Sequence, residues 1–284
     1  MRKVKLITDS TADLDLSCLV EMEIEMVPLY VCFKDEAYHD RLAISTDVMY
    51  QRIESEGIMP TTQAASPGDF IKAFEPYIEA GYDIVYTGIG SSLSATFQSA
   101  RVASLEFPKD RIYLVDSKNL SSGIALLVLK ANQLKNQGLD AKTIHDRLTA
   151  MVPLVRSQFA IQTLDYLHKG GRASGTQKLM GSMLGIKPII HVREGKLEVY
   201  KKAMGKMSRA LDIMLKDLID HASAVDLDHI MITHSQADRY VPYLKEKITA
   251  ELTPKAIIES KAGCVISAHC GPGTIGILYS LKEG

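Results

Sequence analysis

Short apolar runs alternate with amphipathic stretches through the first half of this chain. Val4–Thr8 reads as a strand, and the short polar side chains of Asp9-Ser10-Thr11-Ala12-Asp13 suit a helix cap just beyond it. Met26–Val31 is a second apolar run, and Pro28, which has no amide hydrogen, makes it an edge strand or a bent one. Ser66-Pro67-Gly68-Asp69 opens a helix with a hydroxyl cap and a proline at the first helical position. That helix carries Phe70, Ile71, Phe74, Tyr77 and Ile78 and stops near Gly81. Asp83–Tyr86 and Arg111–Val115 are further strands, each followed by a polar turn and then a helix, over Ser94–Leu105 and Ser121–Gln137.

Strands alternating with helices imply a parallel sheet whose ligands sit at the C-terminal strand ends. The turns after the strands, Asp9–Asp13, Gly88–Thr96 and Asp116–Gly123, would gather at one edge of it. A helix from about Ala141 to Val155 leads out of this region. The second half has a different pattern. Phe159–Ile161 is a strand, and Ile186–Val192 and Leu197–Tyr200 flank Arg193-Glu194-Gly195-Lys196 as a hairpin. Met207, Ala210, Leu211, Met214, Leu215, Leu218 and Ile219 recur at helical spacing, and His229–Thr233, Lys255–Glu259 and Thr274–Tyr279 are strands. The expected architecture is an N-terminal α/β domain with a parallel sheet, residues 1–156, and a C-terminal α+β domain with a mixed sheet, residues 157–284.

Length fits two domains, since 284 residues exceed one ordinary core. A net charge of −1, from 33 basic and 34 acidic residues, offers no basic excess for nucleic acid. The first residues turn polar too early for a signal peptide, and no apolar run is long enough to span a bilayer. The cytoplasm is the expected location. Cys18, Cys32, Cys264 and Cys270 show no C-x-x-C spacing and read as reduced thiols, although His269 between the last two could be imagined in a metal site. No metal and no cofactor is expected.

The chemistry concentrates in Gly88-Ile89-Gly90-Ser91-Ser92-Leu93-Ser94-Ala95-Thr96. A strand end, small residues and a helix start point amides and hydroxyls at one spot, which suits an anion. The lysine of a nucleotide-binding loop is missing. Ser94 lacks a G-x-S-x-G frame, so it reads as a hydrogen-bond donor in preference to a nucleophile. Pro60-Thr61-Thr62-Gln63 reads as a hydroxyl-rich loop whose interest depends on facing Ser94. His269 stands beside the tight turn Gly271-Pro272-Gly273, and Lys169-Gly170-Gly171-Arg172 is a basic loop that reads either as a solvated turn or as a phosphate contact. Met180, Met183, Leu184, Ile186, Ile189 and Ile190 form an adaptable apolar stretch of core, of a kind that also suits a hydrocarbon.

With these segments in this order, the chain resembles the DegV family, which includes the fatty-acid-binding subunits of bacterial fatty acid kinase. Thr8–Leu14, Pro60-Thr61-Thr62, Ser91–Ser99, Asp116-Ser117, Lys169–Arg172, Gly185–Pro188 and Ala268–Gly273 carry the resemblance over almost the whole length. It implies one long-chain fatty acid enclosed between two domains, its carboxylate held by Thr62 and Ser94 with His269 nearby, and Thr61 and Ser92 in support. It also implies a carrier without catalytic apparatus, with Arg172 at the rim where a kinase subunit phosphorylates the acid. Transient contact with a membrane surface would accompany this role. Gln63-Ala64-Ala65, Ala95 and Met204 depart from the family pattern. The alternatives are an acyl- or phosphoryl-transferring enzyme using Ser94 or His269, and a lipid sensor without a kinase.

Overall fold

The computed structural model describes residues 2–172 and 185–282. Strand β1 (Val4–Asp9) is central in a parallel sheet of order β2-β1-β6-β7, with β2 at Glu25–Val27, β6 at Asp83–Gly88 and β7 at Ile112–Asp116. Pro28 ends β2, which is an edge strand, and the chain resumes as β3 (Tyr30–Phe33) in a separate small sheet. That sheet has the order β4-β3-β5, with β4 at Glu36–His39 and β5 at Thr61–Gln63. The supposed loop Pro60–Gln63 is therefore largely strand, made so by pairing of Val31 with Thr62 and Cys32 with Thr61.

Helix α1 (Leu16–Glu21) follows β1, and α2 (Thr46–Glu56) links β4 to β5. Helix α3 (Pro67–Glu79) starts on a full capping box, in which Ser66 and Asp69 each accept the other's backbone amide. Helices α4 (Thr96–Ser104), α5 (Ser122–Asn136) and α6 (Ala141–Met151) complete the first half. Buried along much of its length, α5 lies between the parallel sheet and the sheet of the second half.

That second sheet has six strands in the order β10-β9-β8-β13-β11-β12. They are β8 (Val155–Ala160), β9 (Ile186–Arg193), β10 (Lys196–Met204), β11 (Val225–Ser235), β12 (Ala256–Lys261) and β13 (Thr274–Leu281). It is mixed, because β11 and β12 run parallel while the other pairs are antiparallel. Helix α7 (Asp165–Lys169) follows β8, and α8 (Met207–Asp220) and α9 (Val241–Glu251) pack a second core against the sheet. Helix α10 (Cys264–Cys270), which the sequence reading did not anticipate, carries His269 up to the turn at Gly271–Gly273. Cys264, Val265 and Ala268 of α10 are buried in the core of the first half, among Val27, Val31 and Met49. Met180, Met183 and Leu184 lie outside the described residues. Among the described residues no helix is long and apolar enough to cross a membrane.

The end of β1 is organised by the buried carboxylate of Asp9. Tyr86 Oη and the Ile89 amide donate to its Oδ2, both at 2.9 Å, and the Thr11 amide donates to Oδ1 at 3.0 Å. Gly88 passes so close that an added Cβ would lie 2.0 Å from Asp9 Oδ2 and 2.2 Å from Tyr86 Oη. Gly88→Ala is expected to destabilise the protein by roughly 1–3 kcal/mol, since both neighbours are rigidly packed. Urea denaturation checks this, and an unchanged midpoint would show that the carboxylate shifts freely.

Candidate functional site

The parallel strands deliver their C-terminal turns to one place. The Ser91 amide donates to Asp116 Oδ1 at 3.1 Å, and the Gly90 amide donates to the Asn119 carbonyl at 2.8 Å. These turns face the sheet of the second half across a cavity of about 290 Å³. Leu29, Ile89 and Leu120 line it from the first half, and Phe159, Leu197 and Leu278 from the second. Its surface is predominantly apolar, with polar side chains entering from both halves.

Three of those groups are Thr62, Ser94 and His269. Strand β5 presents Thr62, and α10 brings His269 Nε2 to 2.9 Å from Thr62 Oγ1. Ser94 sits two residues ahead of α4, not within it. Its Oγ accepts the Thr96 amide at 3.3 Å and lies 2.9 Å from Thr96 Oγ1, so it caps the turn that feeds the helix. Among the described residues, the hydrogen bonds of Ser94 Oγ are to Thr96 and not to an imidazole or carboxylate.

Arg172 lines the cavity while remaining exposed. Its Nη1 donates to the Gly170 carbonyl at 2.8 Å, and its amide to the Leu167 carbonyl at 2.9 Å. Gly170 presses against the histidine: an added Cβ would lie 2.1 Å from His269 Nδ1. That nitrogen is buried and has no hydrogen-bond partner among the described residues. Burial, reinforced by the nearby Arg172 guanidinium, pushes the His269 pKa down to about 4. The ring is therefore neutral at pH 7.

Thr61 and Ser92 are placed differently. Both are exposed and neither lines the cavity. Alternation along β5 turns Thr61 away from the side that Thr62 faces. Ser92 lies against the β9–β10 turn, where a Cβ on Gly195 would come within 3.1 Å of its Oγ.

Ser121, Thr233 and Ser235 also line the cavity, and sequence reasoning missed them. Ser235 Oγ is 2.7 Å from Tyr50 Oη and 2.9 Å from Ser267 Oγ, a buried hydroxyl chain spanning both halves. Cys264 and Cys270 are buried free thiols, each pushed up to about 12 by burial. His234, Asp238 and Glu259 bring possible ligand atoms within 4.8 Å of one another. Lysines already engage both carboxylates, Lys245 with Glu259 at 2.8 Å and Lys261 with Asp238 at 3.4 Å. The Ala237 amide donates to His234 Nδ1 at 3.4 Å.

A mixed α/β fold enclosing a largely apolar cavity with a few converging polar groups has the features of a small-molecule binding site. Residues 3–282 match the family model described as "Uncharacterised protein, DegV family", and the chain belongs to that family. A DegV domain-containing protein of Clostridium acetobutylicum is 32% identical over 99% of this chain and 100% of its own. A protein of Thermotoga maritima named fatty acid-binding protein is 30% identical over 99% of both chains. Among solved structures, a fatty-acid-binding DegV family protein from Thermus thermophilus superposes with a TM-score of 0.92 at 29% identity, covering 99% of this chain and 100% of that one. DegV of Bacillus subtilis, a fatty acid binding protein, gives 0.87 at 25% identity, with 99% and 100% covered.

The state of His269 has a measurable consequence. Between pH 6.5 and about 4 the unfolded chain takes up a proton at this ring that the folded chain refuses. Stability from this residue is thus full above pH 6.5 and is lost as pH falls toward 4. His269→Gln is expected to flatten that part of the stability profile, read from urea midpoints across the same range. Equal slopes for both proteins would show that the ring protonates freely in the fold.

Proposed function

We propose that this protein binds a long-chain fatty acid in the cavity between its halves, with the carboxylate at Thr62, Ser94 and His269. The observation that carries the reading is an apolar cavity whose polar end pairs a threonine hydroxyl with a neutral, half-buried imidazole. Burying an acyl chain of about 16 carbons at ~0.8 kcal/mol per methylene favours binding by roughly 12 kcal/mol before costs. The carboxylate must then meet hydrogen-bond donors or take up a proton. With the His269 proton on Nε2, the ring donates to Thr62 Oγ1 and leaves the threonine hydroxyl proton free for the ligand. The Ser94 hydroxyl is a second donor. The fatty acid binding named for the relatives from Thermus, Bacillus and Thermotoga supports the same assignment.

In this reading the protein is a cytoplasmic carrier that offers the carboxylate to a separate kinase subunit, which converts it to an acyl phosphate. Arg172 supports a partner or phosphate role, because an exposed guanidinium at the cavity can receive a phosphoryl group in bidentate fashion. Met204 is 58% exposed on β10, near Lys201, Lys202 and Lys206, and this hairpin suits transient contact with an anionic membrane surface.

Denaturing mass spectrometry of the purified protein is expected to release a fatty acid and to show an unmodified polypeptide mass. Hydrogen bonds to a charged group contribute roughly 1.5–3 kcal/mol each, so Ser94→Ala or Thr62→Ala should weaken fatty acid affinity about 10- to 100-fold. The double variant should lose more. Unchanged affinities, or a stable acyl adduct on Ser94, would favour an acyl-transfer enzyme. Arg172→Ala is expected to retain bound acid and to slow acyl phosphate formation by an added fatty acid kinase; loss of the lipid would place Arg172 in the binding site itself.

A further inference from the structure

Helix α10 carries His269, yet its first turn is held from the other half of the chain. Its N-cap is Gly263, which has no side chain to satisfy the leading amides. Those amides donate instead to two buried carboxylates. Gly263 N donates to Asp13 Oδ1 at 2.7 Å, and Cys264 N and Val265 N donate to Asp40 Oδ1 at 2.8 and 3.4 Å. Both aspartates have no exposed surface. Asp40 leads into Arg41, whose φ of +65° is uncommon for a non-glycine residue. Arg41 donates to the Leu14 carbonyl at 2.9 Å and the Lys261 carbonyl at 3.1 Å, bracketing the same approach to the helix. Thr46 Oγ1 donates to the Ala262 carbonyl at 2.9 Å, and Tyr50 Oη to the Ser267 carbonyl at 3.1 Å.

The far end of α10 has little tolerance for movement. His269 is confined between Thr62 and the bare Cα of Gly170, while Gly271 sits where a Cβ would lie 2.6 Å from Tyr166. A short helix held at its first turn and confined at its last is a rigid lever between the two. We infer that Asp40, with Asp13 beside it, is a positioning residue for ligand head-group recognition: it seats α10 so that His269 meets Thr62. This rests on the fatty-acid reading above and extends it to a carboxylate that the cavity does not touch.

The test separates seating of the histidine from general support of the fold. Delipidated wild type, Asp40→Ala and Asp40→Asn are titrated with hexadecanoic acid and with hexadecan-1-ol, which shares the chain and lacks the carboxylate. Asp40→Ala is expected to lose about tenfold in affinity for the acid, the scale of one hydrogen bond to a charged group, and to keep the alcohol within about threefold. Asp40→Asn retains an acceptor oxygen for the amides and is expected to restore acid binding. Thr46→Val, a milder release of the same turn, provides the comparison if Asp40→Ala does not fold, and should lower the acid-to-alcohol ratio in the same direction. Equal loss of both ligands in the folded variants, or an unchanged ratio, would overturn the inference while leaving the fatty-acid reading intact. Failure of wild type to bind either ligand would overturn both.

Discussion

The contact between helix α10 and the carboxylates of Asp13 and Asp40 is the constraint on which the arrangement of the site depends. A helix encoded near the end of the chain starts on acceptors contributed near its beginning, 250 and 224 residues away. Buried carboxylates are costly unless they accept several hydrogen bonds. Asp13 meets this condition with the Gly263 amide, the Ser121 hydroxyl and the Arg41 guanidinium at 3.6 Å. Burial still pushes its pKa up to about 7 against those stabilising partners. The helix amides thus occupy one oxygen of each acid, while Asp40 Oδ2 has no hydrogen-bond partner among the described residues, and neither half alone supplies both sides of that contact.

This dependence explains which parts were legible in sequence. The strands β1, β6 and β7 and the helices after them follow from local hydrophobic period and caps, and Ser66-Pro67-Gly68-Asp69 specifies its own capping box. The Arg193–Lys196 hairpin was equally local. Helix α10 was not, because Gly263 and Cys264 carry no helix-start signal and its cap comes from distant aspartates. Strands β4 and β5 were hidden for a related reason. Glu36–His39 and Thr61–Gln63 are short and largely polar, and only pairing with β3 makes them strands.

The site shows the same division. Hydroxyl content at a strand end singled out Ser94, the family resemblance singled out Thr62, and the structure brings both to one cavity with His269. Sequence composition treated Thr61 and Thr62 alike. Once the segment is a strand, period-two alternation separates them, and only Thr62 faces the cavity. The hydroxyl chain of Tyr50, Ser235 and Ser267 joins residues from three distant segments, so no spacing in the sequence could mark it.

If the cavity holds a fatty acid as proposed, its electrostatics favour exchange over permanent capture. Among the described lining residues Arg172 alone carries a fixed charge, and it is exposed. His269, which could have offered a second cation, is held neutral by burial and by that same arginine. A carboxylate meeting hydroxyls and a neutral imidazole is satisfied by hydrogen bonds without being locked into a desolvated ion pair. Truncating one side of such an ion pair, or letting its partner leave, strands a buried charge at a cost of several kcal/mol. Neutral donors leave no stranded charge behind and so carry no such penalty. The apolar wall then sets affinity through chain length, and the polar end sets orientation. That separation is what the proposed fatty-acid reading requires of the cavity, a tail held by the apolar wall and a head group met by neutral donors.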